Sequence, residues 1–371
     1  MSGRAWQHFD FVLFGATVVL IALGIALIYS ATLSSTPWIS ESPWDSFLVR
    51  QIIYACAGIG LMLLVSFTDY SFFANINHLI YVLVILLLIL VYAVGHISFG
   101  AQRWIDLGVF PLQPSELAKV LLIIVLAKFL SDRQEDLKRL PYLLLSMLYI
   151  GIPMVFVYVQ PDLGTAIVMA VSWFAMVLVA GVRVRHLGLL ALIGIVSSPI
   201  VWLSLQGYMR ERILIFFNPE LDPLGAGYNI NQARIAVGSG GWLGQGFARG
   251  TQSQLHFLRV RHTDYIFSVL GEELGFVGVV LLLLLFIVVI WRILRAAEMA
   301  RDTFGQLIAC GIATVVAFQV IANVGMNVGL LPSSGVPLPF ISYGGSALIA
   351  LLIGEGIVQN IIIRHKRLEF Q

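Results

Sequence analysis

Ten long apolar runs constrain every fold that this chain can adopt. A helix needs about 20 apolar residues to cross the hydrocarbon core of a bilayer. Hydrophobic residues make up 59% of the 371 residues, and Asp, Glu, Lys and Arg only 11%, against roughly 25% charged residues in soluble domains. The runs lie near residues 9–33, 48–66, 76–95, 115–131, 142–159, 165–181, 187–205, 264–290, 304–330 and 346–364. The sequence therefore predicts an all-α polytopic membrane protein with about ten transmembrane helices.

The distribution of basic residues predicts the orientation of these helices. Lys and Arg are enriched in the short loops on the cytoplasmic side of membrane proteins. Thirteen of them precede the first run or follow the fourth, sixth, eighth and tenth, whereas the opposite short loops hold only Arg50 and Arg103. We therefore expect both termini to be cytoplasmic. The expected organisation is a single integral membrane domain, residues 1–371, with a long extracytoplasmic loop at 206–263.

Composition and motifs exclude several classes of protein. A net charge of +2 does not provide the basic face of a nucleic-acid-binding protein. The chain contains neither the G-x-x-x-x-G-K-[ST] nor the G-x-G-x-x-G string, so no nucleotide cofactor is predicted. Cys56 and Cys310 lie in separate apolar runs, which indicates small buried residues and neither a disulfide framework nor a metal site.

Charged residues of the apolar runs concentrate at the predicted outer ends. Glu116 and Lys119 open the fourth run three residues apart, on one helical face. An ionisable side chain at this depth costs at least about 2.5–3.5 kcal/mol, so it usually faces a cavity or a partner. A mutually neutralising structural pair is the alternative. Arg103, beside Trp104, could face a lipid phosphate or serve as an interfacial anchor.

Three further carboxylates leave structural and functional interpretations open. Asp162, between Pro161 and Gly164, could cap the sixth helix or take part in a site. Asp264 enters the eighth run at the outer boundary, where a carboxylate could act as a helix cap or as a general base. Glu355 in the last run could be a proton or ion ligand, or a partner for a neighbouring helix.

Two outer segments have compositions typical of structured sites. The connection at 206–263 is rich in glycine and much longer than usual connections, and such loops are commonly functional. The last outer segment, 331–346, contains three prolines and cannot form an ordinary helix. Irregular backbone at membrane depth survives only when it is buried in protein or lines a wet cavity. We therefore expect segment 331–346, which includes Ser342, to form the wall of a site.

Four segments of the chain resemble the shape, elongation, division and sporulation (SEDS) family, the RodA and FtsW group. The match runs over nearly the whole sequence, in order and at the expected spans. The matching segments are Gln113-Pro114-Ser115-Glu116-Leu117-Ala118-Lys119, Gln160-Pro161-Asp162-Leu163-Gly164-Thr165, His262-Thr263-Asp264 with Gly271-Glu272-Glu273-Leu274-Gly275, and Gly335 through Ser346. Segments 222–228 and 250–255 look more like the elongation branch than the division branch.

The resemblance implies a peptidoglycan glycosyltransferase of the bacterial plasma membrane. It would polymerise lipid II into glycan strands during cell elongation, with undecaprenyl pyrophosphate as the leaving group. Asp264 matches the family's essential loop aspartate, so it is the expected catalytic residue. The expected substrate-binding residues are Arg103, Glu116, Lys119, Asp162 and Ser342. A class B penicillin-binding transpeptidase and other elongation-complex membrane proteins are the implied partners, and a divalent cation, Mg or Mn, is the implied cofactor.

Two other functions remain open on the sequence alone. Ten spans, broken helices and Glu355 would also suit a lipid II flippase or an ion-coupled transporter. Such a protein should offer polar groups on both sides of the midplane and often an inverted repeat, whereas here the polar groups gather outside. A passive membrane scaffold for a transpeptidase is the third possibility, and it would tolerate removal of the outer charges.

Overall fold

A computed structural model describes most of the chain. The described residues are 6–33, 46–98, 101–106, 111–205, 207–222, 225–255, 257–258 and 260–365. Three of the basic residues that predict orientation, Arg4, Lys366 and Arg367, lie outside these ranges. So do parts of the connection at 206–263.

Ten helices of at least 17 residues lie at the ten predicted runs, so the predicted fold class is confirmed. The α-helices are α1 Phe11–Thr32, α2 Phe47–Phe67, α3 Tyr70–Asn75, α4 Asn77–Val94, α5 Pro114–Asp132, α6 Leu140–Val159, α7 Leu163–Val179, α8 Val184–Ser204, α9 Gly207–Phe217, α10 Ala226–Ser239, α11 Thr251–Gln254, α12 Ile266–Met299, α13 Thr303–Asn327 and α14 Gly345–Ile363. Between α4 and α5, strands β1 His96–Ser98, β2 Ala101–Asp106 and β3 Pro111–Leu112 form an antiparallel sheet in that order.

Seven helices of the described chain are long and apolar enough to cross a membrane: α1, α2, α4, α6, α12, α13 and α14. Helices α7 and α8 contribute shorter apolar stretches. Helix α5 carries four charged residues among its 19, yet it is almost wholly buried. The charges of Glu116 and Lys119 are therefore shielded from lipid by the surrounding helices, whereas Lys128 and Asp132 pair with each other near the exposed end of the helix.

The most buried helices form the centre of the bundle. Helices α13 and α14 are largely buried, whereas α2, α4 and α6 leave most of their side chains at least partly exposed. Helix α14 packs extensively on α2, and α13 packs on α12, α7 and α5. Exposed Leu, Ile and Val side chains on these peripheral helices form the expected surface toward lipid. Contact between apolar side chains and lipid tails carries no hydrophobic penalty. The polar groups of α5 and α13 therefore face a protein interior.

Both described termini lie at the same end of the bundle. The rings of His8 and His365 are 5.1 Å apart. The backbone N–H of Asp10 donates to Oε1 of Gln359 at 3.0 Å. An even number of crossings is required to bring the two termini together. The fold thus agrees with ten spans, while the cytoplasmic assignment of this end stays a prediction.

The connection at 206–263 is more structured than a glycine-rich loop. It contains α9, α10 and α11 and hydrogen-bonds to a break in α12 at Gly275, whose φ of 65° suits glycine. The N–H of Phe276 donates to the carbonyl of Gly241 at 2.9 Å, and that of Gln245 to the carbonyl of Glu272, also at 2.9 Å. The backbone groups released by the break are satisfied in this way. The N-terminal part of α12 is therefore fixed to the connection.

The last outer loop, residues 331–344, is folded into the bundle as expected. Val336, Leu338, Phe340 and Ile341 are buried. Helix α1 approaches the loop so closely that a Cβ atom at Gly24 would lie 2.7 Å from Cα of Ile341. Irregular backbone at this depth is thus covered by protein, as its stability in a membrane requires.

The contact at Gly24 predicts a stability difference between two glycine substitutions in the same helix. Gly24→Ala should lower stability by about 1–3 kcal/mol, because the new methyl group overpacks against backbone that cannot give way. A Cβ at Gly15 meets no atom within 4 Å, so Gly15→Ala should leave stability unchanged or slightly raise it. Thermal unfolding of the purified variants in detergent measures both. Equal melting temperatures would contradict the close contact.

Candidate functional site

The backbone of Asp264 is held by two asparagine side chains of α13. Nδ2 of Asn323 donates to the carbonyl of Asp264 at 3.1 Å, and Nδ2 of Asn327 donates to the same carbonyl at 3.0 Å. Asn327 also accepts a hydrogen bond from the hydroxyl of Ser268 at 2.6 Å. Both asparagines are buried. The residue just before α12 is therefore fixed by a buried polar network.

The last outer loop supports the residues that precede Asp264. The hydroxyl of Ser342 donates to the carbonyl of Thr263 at 2.8 Å and accepts from the N–H of Leu338 at 2.8 Å. The N–H of Tyr343 donates to the carbonyl of His262 at 2.9 Å. Ser342 is buried and its hydroxyl already has both partners. The structure thus places this predicted substrate-binding residue behind Asp264, where it positions the backbone.

The positive charges of two arginines influence the pKa of the Asp264 carboxyl group. The side chain is partly exposed, although protein surrounds it. Burial raises its pKa above the ordinary value, while the positive charges of Arg212 and Arg103 lower it and the negative charge of Asp162 raises it further. Arg103, Asp162 and Asp264 were predicted separately from the sequence. The fold brings all three to one end of the bundle.

The two carboxyl oxygens of Asp162 have separate partners. Oδ1 accepts from the N–H of Thr165 at 3.2 Å and so caps α7. Oδ2 accepts from Nε2 of Gln113 at 3.1 Å and from the hydroxyl of Ser115 at 3.2 Å. Asp162 therefore has the predicted capping role and also ties α7 to the beginning of α5.

Arg103 is anchored on the same turn. Its Nε donates to the carbonyl of Gln160 at 3.0 Å, and Nη2 donates to the carbonyl of Pro161. Strand β2 carries Arg103 into this position, next to β3 and the beginning of α5. A guanidinium group has five N–H donors, so donors remain after these bonds. The orientation suits binding of an anion beside Asp264.

Glu116 and Lys119 form the predicted ion pair. Nζ of Lys119 lies 2.8 Å from Oε2 of Glu116, and both side chains are at most 4% exposed. Within the described residues, neither forms a hydrogen bond or ion pair with Asp264. The pair is linked to the site through Ser115, which precedes Glu116 and contacts Asp162. The ion pair therefore lies farther along α5 than Ser115, buried within the bundle.

Arg212, on α9, is a charged residue of the site that the sequence did not reveal. Its Nη1 donates to the carbonyl of Ser333 at 3.2 Å. It lines a small, mostly apolar pocket of about 70 Å³ with Gly164, Met209, Ile213 and Pro332 among its walls. The sequence shows six arginines in the long connection, and nothing in their spacing distinguishes this one. Only the fold brings α9 against the N-terminus of α7.

The remaining carboxylates have structural partners away from the site. Both oxygens of Glu355 accept from the hydroxyl of Thr17, at 3.0 and 2.9 Å. Glu272 accepts from the backbone N–H groups of Gln252 and Ser253, at 2.7 and 3.1 Å, and so holds α11. These contacts join α14 to α1 and the long connection to α12.

The donor set does not fit a resident metal ion. Among the residues that the structure describes, no group of three or more His, Cys, Asp or Glu side chains is placed to hold one. The carboxylate of Asp264 is influenced by the charges of Arg212, Arg103 and Asp162, while the oxygens of Asp162 accept from Thr165, Gln113 and Ser115. The divalent cation implied by the sequence resemblance stays a prediction, and no chemical step below depends on it.

These observations define the class of protein: a polytopic helical membrane protein with a polar site at the end of the bundle opposite the described termini. The family model for the FtsW, RodA and SpoVE cell cycle proteins matches residues 11–367. The chain therefore belongs to the FtsW/RodA/SpoVE family.

Individual relatives agree with this assignment. The peptidoglycan glycosyltransferase MrdB of Escherichia coli (strain K12) is 41% identical over 353 residues, covering 95% of this chain and 94% of that protein. Stage V sporulation protein E of Bacillus subtilis (strain 168) is 39% identical over 358 residues, covering 95% and 96%.

Two solved structures share the fold. A chain from a peptidoglycan synthase complex that coordinates polymerisation and crosslinking has a TM-score of 0.80 and 34% identity, with 95% of this chain and 97% of that chain covered. The rod shape determining protein RodA of Thermus thermophilus has a TM-score of 0.69 and 28% identity, with 98% and 99% covered.

Substituting both residues of the buried ion pair tests whether Glu116 and Lys119 stabilise the fold as a pair. Glu116→Gln and Lys119→Met should each lower stability by about 3–5 kcal/mol, because each leaves a buried charge without its partner. The double variant should recover most of that loss, since apolar or neutral replacement of a whole pair is often tolerated. Thermal unfolding of the three variants in detergent tests this. Losses that simply add would show that the two side chains are independent.

Proposed function

We propose that this protein is a peptidoglycan glycosyltransferase that polymerises lipid II into glycan strands for cell elongation. Its similarity to MrdB over nearly the whole of both chains supports the activity. The observation that carries the proposal is the position of Asp264, a carboxylate that is influenced by the charges of Arg103 and Arg212 at the end of the bundle away from the described termini. A substrate carrying both a hydroxyl acceptor and a pyrophosphate leaving group matches that charge pattern.

Asp264 acts in the proposal as the general base. Its carboxylate takes the proton from the 4-hydroxyl of the acceptor GlcNAc as that oxygen attacks C1 of the donor MurNAc. The bond between C1 and the pyrophosphate oxygen breaks, and undecaprenyl pyrophosphate leaves with the bonding electrons. The α link of the donor becomes a β link in one inversion, so one base is sufficient and no covalent enzyme intermediate is needed.

Arg103 and Arg212 stabilise the departing pyrophosphate. Guanidinium groups match phosphate oxygens in geometry and charge, and both act electrostatically on Asp264. Lys119 is paired with Glu116 inside the bundle, and Asp162 lies in the turn whose carbonyl groups hold Arg103. In the proposal, Arg103, Glu116, Lys119 and Asp162 are substrate-binding or supporting residues, and Ser342 positions the backbone before Asp264.

The partners and orientation follow from the same proposal. Lipid-linked sugars are available outside the bacterial plasma membrane, where nucleotide sugars are absent, so the site faces outward and both termini are cytoplasmic. The related chain within a peptidoglycan synthase complex supports a class B penicillin-binding transpeptidase as partner. Other elongation-complex membrane proteins and a divalent cation, Mg or Mn, remain further predictions.

A lipid II flippase or ion-coupled transporter is the main rival. Glu355, the residue that favoured transport, is buried and contacts Thr17 within the bundle. Incubation of the pure protein with lipid II in detergent separates the two functions, because detergent solution has no second compartment. Glycan product supports the enzyme; movement of lipid only in sealed vesicles supports the transporter.

Asp264→Asn should abolish polymerisation of lipid II in detergent, because an amide cannot accept the acceptor's proton. The loss should be at least about 10²-fold, the lower range for general base catalysis. Asp106→Asn, at an exposed position of β2, is the matched control and should retain activity. The melting temperature of both variants shows whether they are folded. A folded Asp264→Asn variant that makes strands at the normal rate would refute the assignment.

Arg212→Gln should shift the acidic limb of the pH–rate profile to higher pH. A general base works only when deprotonated, so the rate falls as the pH drops through its pKa. Arg212 lowers the pKa of Asp264, and its removal should therefore raise that pKa. Arg234→Gln is the control, since this arginine donates to the carbonyl of Gly329 and is not among the charges that act on Asp264. An unchanged limb in Arg212→Gln would contradict the electrostatic coupling.

A further inference from the structure

A polar pocket lies at the opposite end of the bundle, where both described termini meet. It has a volume of about 230 Å³ and is formed by the segment before α1, the last turns of α12 and the end of α14. Its charged and titratable walls are His8, Asp10, Arg292, Arg295 and His365. The proposed reaction uses none of these residues.

Asp10 and Arg292 in this pocket already have hydrogen-bond partners within the fold. Oδ1 of Asp10 caps α1 by accepting from the N–H groups of Val12 and Leu13, at 3.1 and 3.0 Å. Oδ2 accepts from Nε of Arg292 at 2.6 Å. The single negative charge of the pocket is therefore neutralised, and Arg292 is held by it.

The other arginine provides an excess positive charge. Arg295 forms no salt bridge with a carboxylate in the described part of the chain, and its guanidinium lies 5.8 Å from the ring centre of Trp291. His365 has Nδ1 at 2.7 Å from the carbonyl of Ile362. A carbonyl can only accept, so Nδ1 carries the proton, and an imidazolium form would present its second N–H at Nε2. The pocket thus has a net charge of at least +1.

Aromatic side chains indicate the depth of the pocket in the membrane. Trp6, Phe11 and Trp291 flank it and are 44%, 60% and 55% exposed. Exposed tryptophans on membrane helices lie at the level of the lipid head groups. The aromatic side chains therefore indicate that the pocket lies at the membrane–water boundary, near the depth of lipid phosphates.

We propose that this pocket binds a phosphate-bearing anion at the membrane surface, with Arg295 as the principal contact. An anionic phospholipid head group and free phosphate share this chemistry. The bound anion would bridge α12 and the segment before α1, because Arg295 and His8 line the same pocket from these two elements. The site is independent of Asp264 and of the proposed glycosyl transfer.

Binding to the purified full-length protein in detergent tests the site. Short-chain phosphatidylglycerol, short-chain phosphatidylcholine and inorganic phosphate are titrated separately, with native mass spectrometry for the lipids and thermal shift for phosphate. Arg295→Gln should weaken phosphatidylglycerol binding about fivefold, the effect of one basic residue near an anionic surface. Arg295→Lys should retain most of the affinity. Arg185→Gln, an exposed arginine of α8 outside the pocket, is the matched control.

The outcomes separate the two sources of the anion. Binding of phosphatidylglycerol that depends on Arg295 supports a lipid site. Binding of inorganic phosphate alone, with the same dependence, supports a phosphate site filled from the aqueous side. Equal binding by wild type and Arg295→Gln, or an equal loss in Arg185→Gln, would overturn the proposal.

Discussion

The site depends on the hydrogen bonds that two buried amides give to one backbone carbonyl. Asn323 and Asn327 hold the backbone of Asp264 just before α12 begins. Within a membrane protein, an irregular segment must satisfy its backbone groups inside the protein, because lipid offers no partners. The loop at 331–344 meets the same requirement through Ser342, which joins it to Thr263. The backbone that carries the Asp264 carboxylate is therefore held in place at the end of the bundle.

Much of the fold could be predicted from the sequence because its determinants are local. Length and apolarity locate all ten long helices, and Asp162 caps α7 as its place between Pro161 and Gly164 suggests. The helices within 206–263 could not be predicted from glycine content, because their stability comes from contacts with the broken backbone of α12. The sequence pattern there is polar and glycine-rich, which usually indicates a loop.

The site was partly predictable for a similar reason. Arg103, Asp162 and Asp264 lie in distinctive segments, and the fold brings them together. The ion pair of Glu116 and Lys119 was visible from its helical spacing, whereas its place beneath the site depends on Ser115 and Asp162. Arg212 was missed because its role comes from the long-range packing of α9 against α7, and a single sequence does not encode that contact in a readable pattern.

The break in α12 at Gly275 has a mechanical consequence. A straight helix of 34 residues would measure about 50 Å, well beyond a hydrocarbon core of about 30 Å. The break divides it into a short outer segment clamped by the long connection and an inner segment of about 36 Å, long enough to span by itself. The connection bonds to Glu272 and Glu273 before the break and to Phe276 and Val277 after it, so it sets the angle between the two segments.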